Sequence, residues 1–338
     1  MKTSGSKINW PLIGNEHIFE FLIKSLEKKK IAGSYIFSGP ADLGKAKAAQ
    51  FFAQSLVCQA AGKAKPCGQC EACQEAEKGL HSDIYLIEKP VDKKNISIEQ
   101  VRDFIRSLGM SSFLNSYKIG IVKGAESLSL GAVNALLKTL EEPKIKVVII
   151  LTAADLDSLP KTIVSRSQIL RFHQVPGGVI YDDLIKSRGA SRSQAKNFSR
   201  LSAGRPALAL KFFHDFDFFE NYNKQARAFF EFLSPNINQR LAAIADSLGR
   251  APSGQESAAA AFRLITVWQN LARDFMLLQL GLDDLIQHEA QADDLRMLKN
   301  KFSLKALLNL QAVLRQSKDY IGANVNPRLA LESAAVSF

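Results

Sequence analysis

Short apolar runs alternate with amphipathic stretches along the first half of the chain. The apolar runs predict buried strands, because they are only three to nine residues long and have little or no polar face. They lie at 35–37, 84–87, 117–123, 144–152 and 168–172, of which the first has only three residues. The run at 144–152 is nearly all aliphatic, as expected for a strand in a parallel sheet that is covered on both faces. We therefore expect an α/β domain.

The stretches between these runs repeat apolar residues at helical spacing. They predict helices over 8–30, about 44–58, 97–108 and 134–143. Ser97 and Gln100 have the spacing of a capping box, and Pro143 ends the fourth helix. Beyond a break at Pro176-Gly177-Gly178 the pattern is helical only. We divide the chain into an α/β domain at 1–175, a small helical part at 176–214 and an all-α part at 215–338.

Composition narrows the class of protein only slightly. The 338 residues carry 44 Lys and Arg against 33 Asp and Glu, a formal net charge of +11, which favours polyanionic or acidic partners. The first ten residues lack the apolar segment of a signal peptide. The longest aliphatic run, 147–151, is far too short to cross a bilayer. We expect a cytoplasmic protein with no membrane contact.

The first strand runs into the segment Gly39 to Ala46, which has the spacing of a phosphate-binding P-loop, G-x-x-x-x-G-K-[ST]. Gly39, Gly44 and Lys45 are in place. Ala46, however, has no hydroxyl for Mg²⁺, and Asp42 brings a negative charge to the position of the phosphates. We interpret the loop as a vestigial phosphate site, and weak nucleotide binding without hydrolysis is the alternative.

Other positions of an ATPase site are also changed. In a P-loop ATPase, the strand that corresponds to 117–123 ends in two carboxylates. One of them binds Mg²⁺, and the other polarises the attacking water. Here Lys123 and Gly124 follow instead, and Glu126 is displaced from the strand end. At the end of the next strand only Thr152 offers a polar side chain to sense a γ-phosphate. The chain is therefore not expected to hydrolyse ATP.

All four cysteines, Cys58, Cys67, Cys70 and Cys73, lie within sixteen residues. Four thiolates in two closely spaced pairs are typical of a structural Zn²⁺ site, in which no position is left open for water. An iron–sulfur cluster is an alternative, but the usual continuation x3-C-P is missing after Cys73. Four unlinked buried thiols are the other alternative.

Several motifs, in order along the chain, resemble those of the bacterial clamp-loader family, AAA+ subunits that open the sliding clamp for the replicative DNA polymerase. They are NALLKTLEEP at 134–143, TIVSRS at 162–167, the four cysteines, and NPRLALE at 326–332. The altered nucleotide motifs, with Ser165 and Arg166 retained, resemble the delta-prime subunits more than the gamma/tau motor subunits. Ser167 stands where the family usually has cysteine.

This resemblance implies roles for particular residues. Arg166, with Ser165 as its motif neighbour, would be an arginine finger that reaches the γ-phosphate of ATP on a neighbouring motor subunit. The resemblance also implies that 176–214 is a helical lid and that 215–338 is a collar for assembly. Arg205 is shifted relative to the family's second-sensor arginine, and we do not expect it to read a phosphate.

The implied partners are gamma/tau and delta subunits in a hetero-pentamer, with the sliding clamp and primer-template DNA contacted through the complex. No intrinsic enzymatic activity and no ATP binding are expected of this chain. Three alternatives stay open: Arg166 in a local ion pair only, an active gamma/tau-type ATPase, and a free-standing zinc-dependent DNA-binding protein.

Overall fold

The computed structural model describes residues 10, 12–61, 65–90, 93–112, 117–142, 146–249 and 254–338. Contacts divide the chain into two compact units. The first contains Met1–Val179 with Gly204–Ala207, and the second contains Ile180–Ala203 with Leu208–Phe338. The finer division into core, lid and collar stays a prediction.

The first unit is built on a sheet of five described strands. These are β1 (Ser34–Ser38), β2 (Ile84–Glu88), β3 (Lys118–Lys123), β4 (Val147–Ala153) and β5 (Gln168–Arg171). Their order is β2-β3-β4-β1-β5, and every neighbouring pair is parallel. The predicted parallel α/β domain is confirmed. Because all strands run the same way, their carboxyl ends form one edge of the sheet and their amino ends form the other.

Helices cover both faces of this sheet. They are α1 (Glu16–Glu27), α2 (Lys45–Val57), α3 (Glu71–Lys78), α4 (Ile98–Gly109), α5 (Leu130–Glu141) and α6 (Lys161–Val164). Side chains alternate along β1, so Phe37 packs in the same apolar cluster as Phe52 of α2, while Ile36 packs with Phe104 of α4 in the other cluster. This arrangement fixes the position of the segments that follow β1 and precede β5.

The predicted helix boundaries agree with the structure to within a few residues, with two differences. The capping box of Ser97 and Gln100 is present at the start of α4. Helix α5 begins at Leu130, four residues before the predicted start, because Ser129 caps it by accepting from the N–H of Ala132. Helix α1 is shorter than the predicted 8–30. Residues 8–9, 143–145 and 250–253, used in several predictions, lie outside the described residues.

The second unit is helical, and α7 (Gly177–Arg188) and α9 (Pro206–His214) begin in the first unit and continue into it. Its other helices are α8 (Arg192–Leu201), α10 (Phe216–Phe232), α11 (Ile237–Leu248), α12 (Gly254–Gln279), α13 (Ala292–Leu298), α14 (Leu304–Gly322) and α15 (Pro327–Ser337). Phe229, Phe232 and Trp268 form its centre and are fully buried. The phenylalanines of 216–232 thus serve mainly as core, although Phe216 is exposed.

No helix among the described residues is both long enough and apolar enough to cross a lipid bilayer.

Candidate functional site

The P-loop segment lies at the carboxyl-end edge of the sheet. It leaves β1 after Ser38, and α2 begins at Lys45 with Gly44 as its N-cap at a φ of 87°. Only glycine adopts this left-handed conformation without strain. The sequence therefore builds the strand–loop–helix geometry of a phosphate site, as predicted from its spacing.

Within this loop the retained lysine contacts the loop itself. The Lys45 ammonium donates hydrogen bonds to the backbone carbonyl oxygens of Gly39 and Pro40. Burial lowers the pKa of Lys45, while the carboxylates of Glu126 and Asp42 act in the opposite direction. The side chain that would bind phosphate is thus paired with protein carbonyls and lies near two carboxylates.

The loop backbone is also bonded to the first turn of α9. The carbonyl oxygen of Asp42 accepts a hydrogen bond of 3.0 Å from the N–H of Ala207, and Asp42 itself has a φ of 62°. A second bond, from the N–H of Val175 to the carbonyl of Gly204, holds the segment before this helix. Sequence reasoning missed this contact because it joins positions 165 residues apart through backbone groups only.

Gly39 has a packing reason that is independent of phosphate. A Cβ added there would lie 2.4 Å from the carbonyl oxygen of Phe172, closer than a real Cβ approaches any atom. At Gly44 a Cβ would meet only a Leu12 methyl carbon at 4.0 Å. The first glycine of the motif is thus required by the fold, and the second by its backbone conformation alone.

Neither β3 nor β4 ends in a carboxylate. Lys123 ends β3 and forms an ion pair of 3.2 Å with Glu88. The hydroxyl oxygen of Thr152 is buried and accepts a hydrogen bond of 3.1 Å from the N–H of Gly124. Glu126 lies in the short helical turn Ala125–Ser127 after the strand. The side chains at this edge therefore form contacts within the chain.

Arg166 lies at the opposite edge of the sheet. It follows α6 and precedes β5, and its carbonyl oxygen accepts a hydrogen bond of 2.7 Å from the Ser34 hydroxyl at the start of β1. Tyr35 is in register with Gln168, which confirms that Arg166 is beside the amino end of β1. Five residues of β1 separate this edge from the loop, a span of about 16 Å.

The Arg166 guanidinium is held but not buried. It forms an ion pair of 2.8 Å with Glu141 at the end of α5 and donates to the carbonyl of Thr162 at 3.1 Å and the hydroxyl of Ser165 at 3.3 Å. Its side chain is 36% exposed. It borders a cavity of about 300 Å³ that is also lined by Gly33, Leu140 and Ser167. The local ion pair considered from the sequence is present, and an anion has access from solvent.

Sequence reasoning missed the contact between Glu141 and Arg166, although Glu141 lies within a motif that was recognised. One signal was available: Glu141 ends a helix, where a negative charge faces the negative end of the helix dipole. A carboxylate in that position indicates a compensating cation nearby.

The four cysteines come together at the far end of α2. Their Sγ atoms all lie within 4.8 Å of one another, and those of Cys67 and Cys73 are 3.9 Å apart. Four thiolates around one ion at about 2.3 Å would have sulfurs about 3.8 Å apart. The spacing matches a single tetrahedral metal ion, and no pair is joined as a disulfide.

The surroundings of Cys67 favour the charged thiolate, whereas those of Cys73 favour the neutral thiol. Backbone hydrogen bonds, first that from the N–H of Cys70 at 3.3 Å and then that from Gln69, favour the thiolate of Cys67, and its pKa is lowered to about 6. Burial raises the pKa of Cys73, and a cation would remove that penalty. Second-layer bonds fix the backbone, since Gln54 donates to the carbonyl of Cys73 and Lys65 to that of Cys58. The cluster can hold a metal ion.

A parallel sheet of this strand order, with a P-loop after β1 and helices on both faces, defines the class of AAA+ domains. In this member the groups needed for nucleotide chemistry are replaced or paired within the chain. The arginine at the opposite sheet edge keeps access to solvent.

Comparison with known proteins identifies the family. Residues 14–176 match the family described as DNA polymerase III, delta subunit. The DNA polymerase III subunit delta' of Haemophilus influenzae is 38% identical over 160 residues, and that of Pseudomonas aeruginosa is 37% identical over 135 residues. The DNA polymerase III subunit tau of Bacillus subtilis is 34% identical over 188 residues. Residues 14–176 therefore belong to the AAA+ clamp-loader family of DNA polymerase III.

These matches cover part of each protein. The Haemophilus influenzae match covers 47% of this chain and 48% of that relative. The Pseudomonas aeruginosa match covers 40% and 41%, and the Bacillus subtilis match covers 56% and 33%. The chain thus spans less than half the length of these curated relatives. The alignment with a solved DNA polymerase III gamma subunit-related protein of Thermotoga maritima covers 94% of this chain and 97% of that protein. With 19% identity and a TM-score of 0.43, this structure is too distant to add to the conclusion.

Proposed function

We propose that this chain is a delta-prime-type subunit of a bacterial clamp loader. In this proposal it does not hydrolyse ATP itself and donates Arg166 to the γ-phosphate of ATP on a neighbouring gamma/tau subunit. One observation carries the proposal: Arg166 and the chain's own P-loop lie at opposite edges of one sheet, about 16 Å apart.

The distance matters because an arginine acts on a phosphate through direct hydrogen bonds of about 3 Å. From the amino-end edge, Arg166 does not reach a nucleotide held by its own loop. It is exposed and borders a cavity, so a nucleotide on another protein has access to it. A planar, permanently charged guanidinium suits this task, because it binds phosphate oxygens through more than one N–H group.

The altered nucleotide site supports the non-hydrolysing part of the proposal. Mg²⁺-dependent hydrolysis requires a loop hydroxyl and a carboxylate at the end of β3, where this chain has Ala46 and Lys123. Lys45 and Thr152 are bonded to backbone groups of the chain. We propose that this edge serves as scaffold and that the chain binds no ATP.

The cysteine cluster is proposed to hold a structural Zn²⁺ ion, with Cys58, Cys67, Cys70 and Cys73 as its four ligands. Four sulfur ligands favour zinc over harder cations, and a complete ligand set leaves no position for catalytic water. The ion would supply folding free energy to the segment that its ligands join.

The partners follow from the same proposal. The neighbouring subunits would be gamma/tau and delta in a hetero-pentamer, and the sliding clamp and primer-template DNA would be contacted through the assembly in the cytoplasm. The formal net charge of +11 is compatible with DNA as one of these partners. The arrangement makes the chain a rigid element against which ATP-driven subunits move.

The test is DNA-stimulated ATP hydrolysis by a clamp loader reconstituted with this chain. Arg166→Ala should lower kcat by ~10³-fold, the lower end of the range for an arginine finger. The Arg171→Ala variant is a matched control, because Arg171 is exposed at the other end of β5, and it should stay within twofold of the wild type. Assembly is checked by native mass spectrometry. An Arg166→Ala complex that assembles and hydrolyses ATP normally would refute the proposal.

A second candidate is an active gamma/tau-type ATPase, which the match to the Bacillus subtilis tau subunit favours. The two candidates differ in what the purified chain does alone. A gamma/tau-type subunit should bind and hydrolyse Mg-ATP, and hydrolysis should be lost in Lys45→Ala. The delta-prime proposal expects no hydrolysis by either protein.

A further inference from the structure

We infer that Glu141 is a positioning residue for Arg166, which fixes the guanidinium at the sheet edge with part of its donor set free for a phosphate. This inference rests on the proposed function, because it concerns the same arginine.

The position of Glu141 is unfavourable without Arg166. It is the last residue of α5, where its carboxylate faces the negative end of the helix dipole. The guanidinium compensates this through a contact of 2.8 Å between Nη2 of Arg166 and Oε1 of Glu141. The pair thus links α5 to the segment between α6 and β5.

The guanidinium is held from several directions. The Glu141 carboxylate forms an ion pair with Nη2, while the carbonyl of Thr162 and the hydroxyl of Ser165 accept hydrogen bonds from Nη1. The backbone of Arg166 is fixed by the Ser34 hydroxyl on β1. These bonds come from α5, α6 and the sheet, so the side chain is restricted before any partner arrives.

Part of the donor set remains. A guanidinium has five N–H groups; Nη1 donates to Thr162 and Ser165, and Nη2 forms the ion pair with Glu141, so Nε has no partner among the residues that the structure describes. A phosphate oxygen can bind at Nε while the Glu141 contact persists. Glu141 therefore orients the arginine without having to release it.

This role differs from stabilisation of the fold. The side chains of Arg166 and Glu141 are 36% and 48% exposed, and an ion pair this exposed contributes little to stability. A flexible arginine, by contrast, would have to be ordered during the reaction, and preorganisation by Glu141 avoids that loss. Removal of the carboxylate should therefore change catalysis in the complex and leave folding unchanged.

The experiment measures kcat and KM for ATP in the reconstituted clamp loader at saturating DNA. Glu141→Gln should lower kcat about fivefold, the upper limit for an exposed ion pair, with KM within twofold. The matched control is Glu142→Gln, which removes the same charge one residue later and should change neither constant. Thermal melting of each variant checks that the fold is unchanged.

A double substitution separates positioning from any other effect. If Glu141 acts through Arg166, adding Glu141→Gln to Arg166→Ala should lower kcat no further than Arg166→Ala does alone. An unchanged or raised kcat in Glu141→Gln, or an equal loss in the Arg166→Ala background, would overturn the inference while leaving the arginine finger in place. A normal kcat in Arg166→Ala alone would instead overturn the proposed function, and the inference with it.

Discussion

The cationic side chains at the two edges of the sheet have different surroundings. At the carboxyl-end edge, Lys45 donates to carbonyls of its own loop, and its pKa is lowered by burial. At the amino-end edge, Arg166 is restrained by three contacts, yet its side chain is 36% exposed and borders an open cavity. The partners of a retained motif residue therefore indicate its role. Lys45 forms hydrogen bonds within the fold, whereas Arg166 is accessible to solvent.

The largest expected effect concerns the cysteine cluster, which anchors the end of α2 opposite the loop. If the cluster holds a structural metal ion, removal of that ion should destabilise the domain. We expect chelator-stripped protein to melt ~10 °C below the zinc-loaded protein, since a structural zinc ion supplies several kcal/mol. Differential scanning calorimetry measures this shift, and elemental analysis measures zinc per chain.

Cys73→Ser provides the control for that experiment. Cys73 is fully buried among the ligands, so the variant should purify without stoichiometric zinc and should not respond to chelator. Equal melting temperatures for stripped and loaded wild-type protein would contradict a structural metal site.

The next effect is a difference in stability between substitutions at the two glycines of the P-loop, Gly39 and Gly44. Gly39→Ala should lower the free energy of unfolding by about 2–3 kcal/mol, because the new Cβ collides with the Phe172 carbonyl at a strained φ of 142°. Gly44→Ala has open space and should lower it by only about 1 kcal/mol through its φ of 87°. Urea denaturation measures both. Equal losses would mean that Gly39 is not retained for packing.

The smallest effect concerns the two cationic residues, Arg166 and Lys45. Arg166→Lys keeps the charge but loses the planar fork, and we expect about a tenfold decrease in kcat of the reconstituted complex. Lys45→Ala in the same complex should stay within twofold, because the proposal assigns this lysine no phosphate to bind. A large loss in Lys45→Ala would reverse the roles of the two edges.

Much of the sheet could be predicted because its strands are continuous apolar runs, as at Val147–Ala153, and its helices carry local start signals such as Ser97 with Gln100. The spacing of the cysteines likewise predicted their convergence, since the ligands are local in sequence. The partners of Arg166 and Asp42 could not be predicted. Glu141 and Ala207 reach them through tertiary contacts, 25 and 165 residues away, which leave no periodic pattern.

The early start of α5 was missed for a different reason. Leu130 is exposed and Gly131 is a weak helix former, so propensity argued against helix there, and the Ser129 cap prevailed.

The central claim is that the chain's own loop no longer holds a nucleotide, and titration calorimetry of the purified chain with Mg-ATP tests it most directly. We predict no saturable binding up to nucleotide concentrations on the order of millimolar, in the wild type and in Lys45→Ala alike. Saturable micromolar binding by the wild type that is lost in Lys45→Ala would contradict the account, because it would show a working phosphate site at the edge assigned to scaffold.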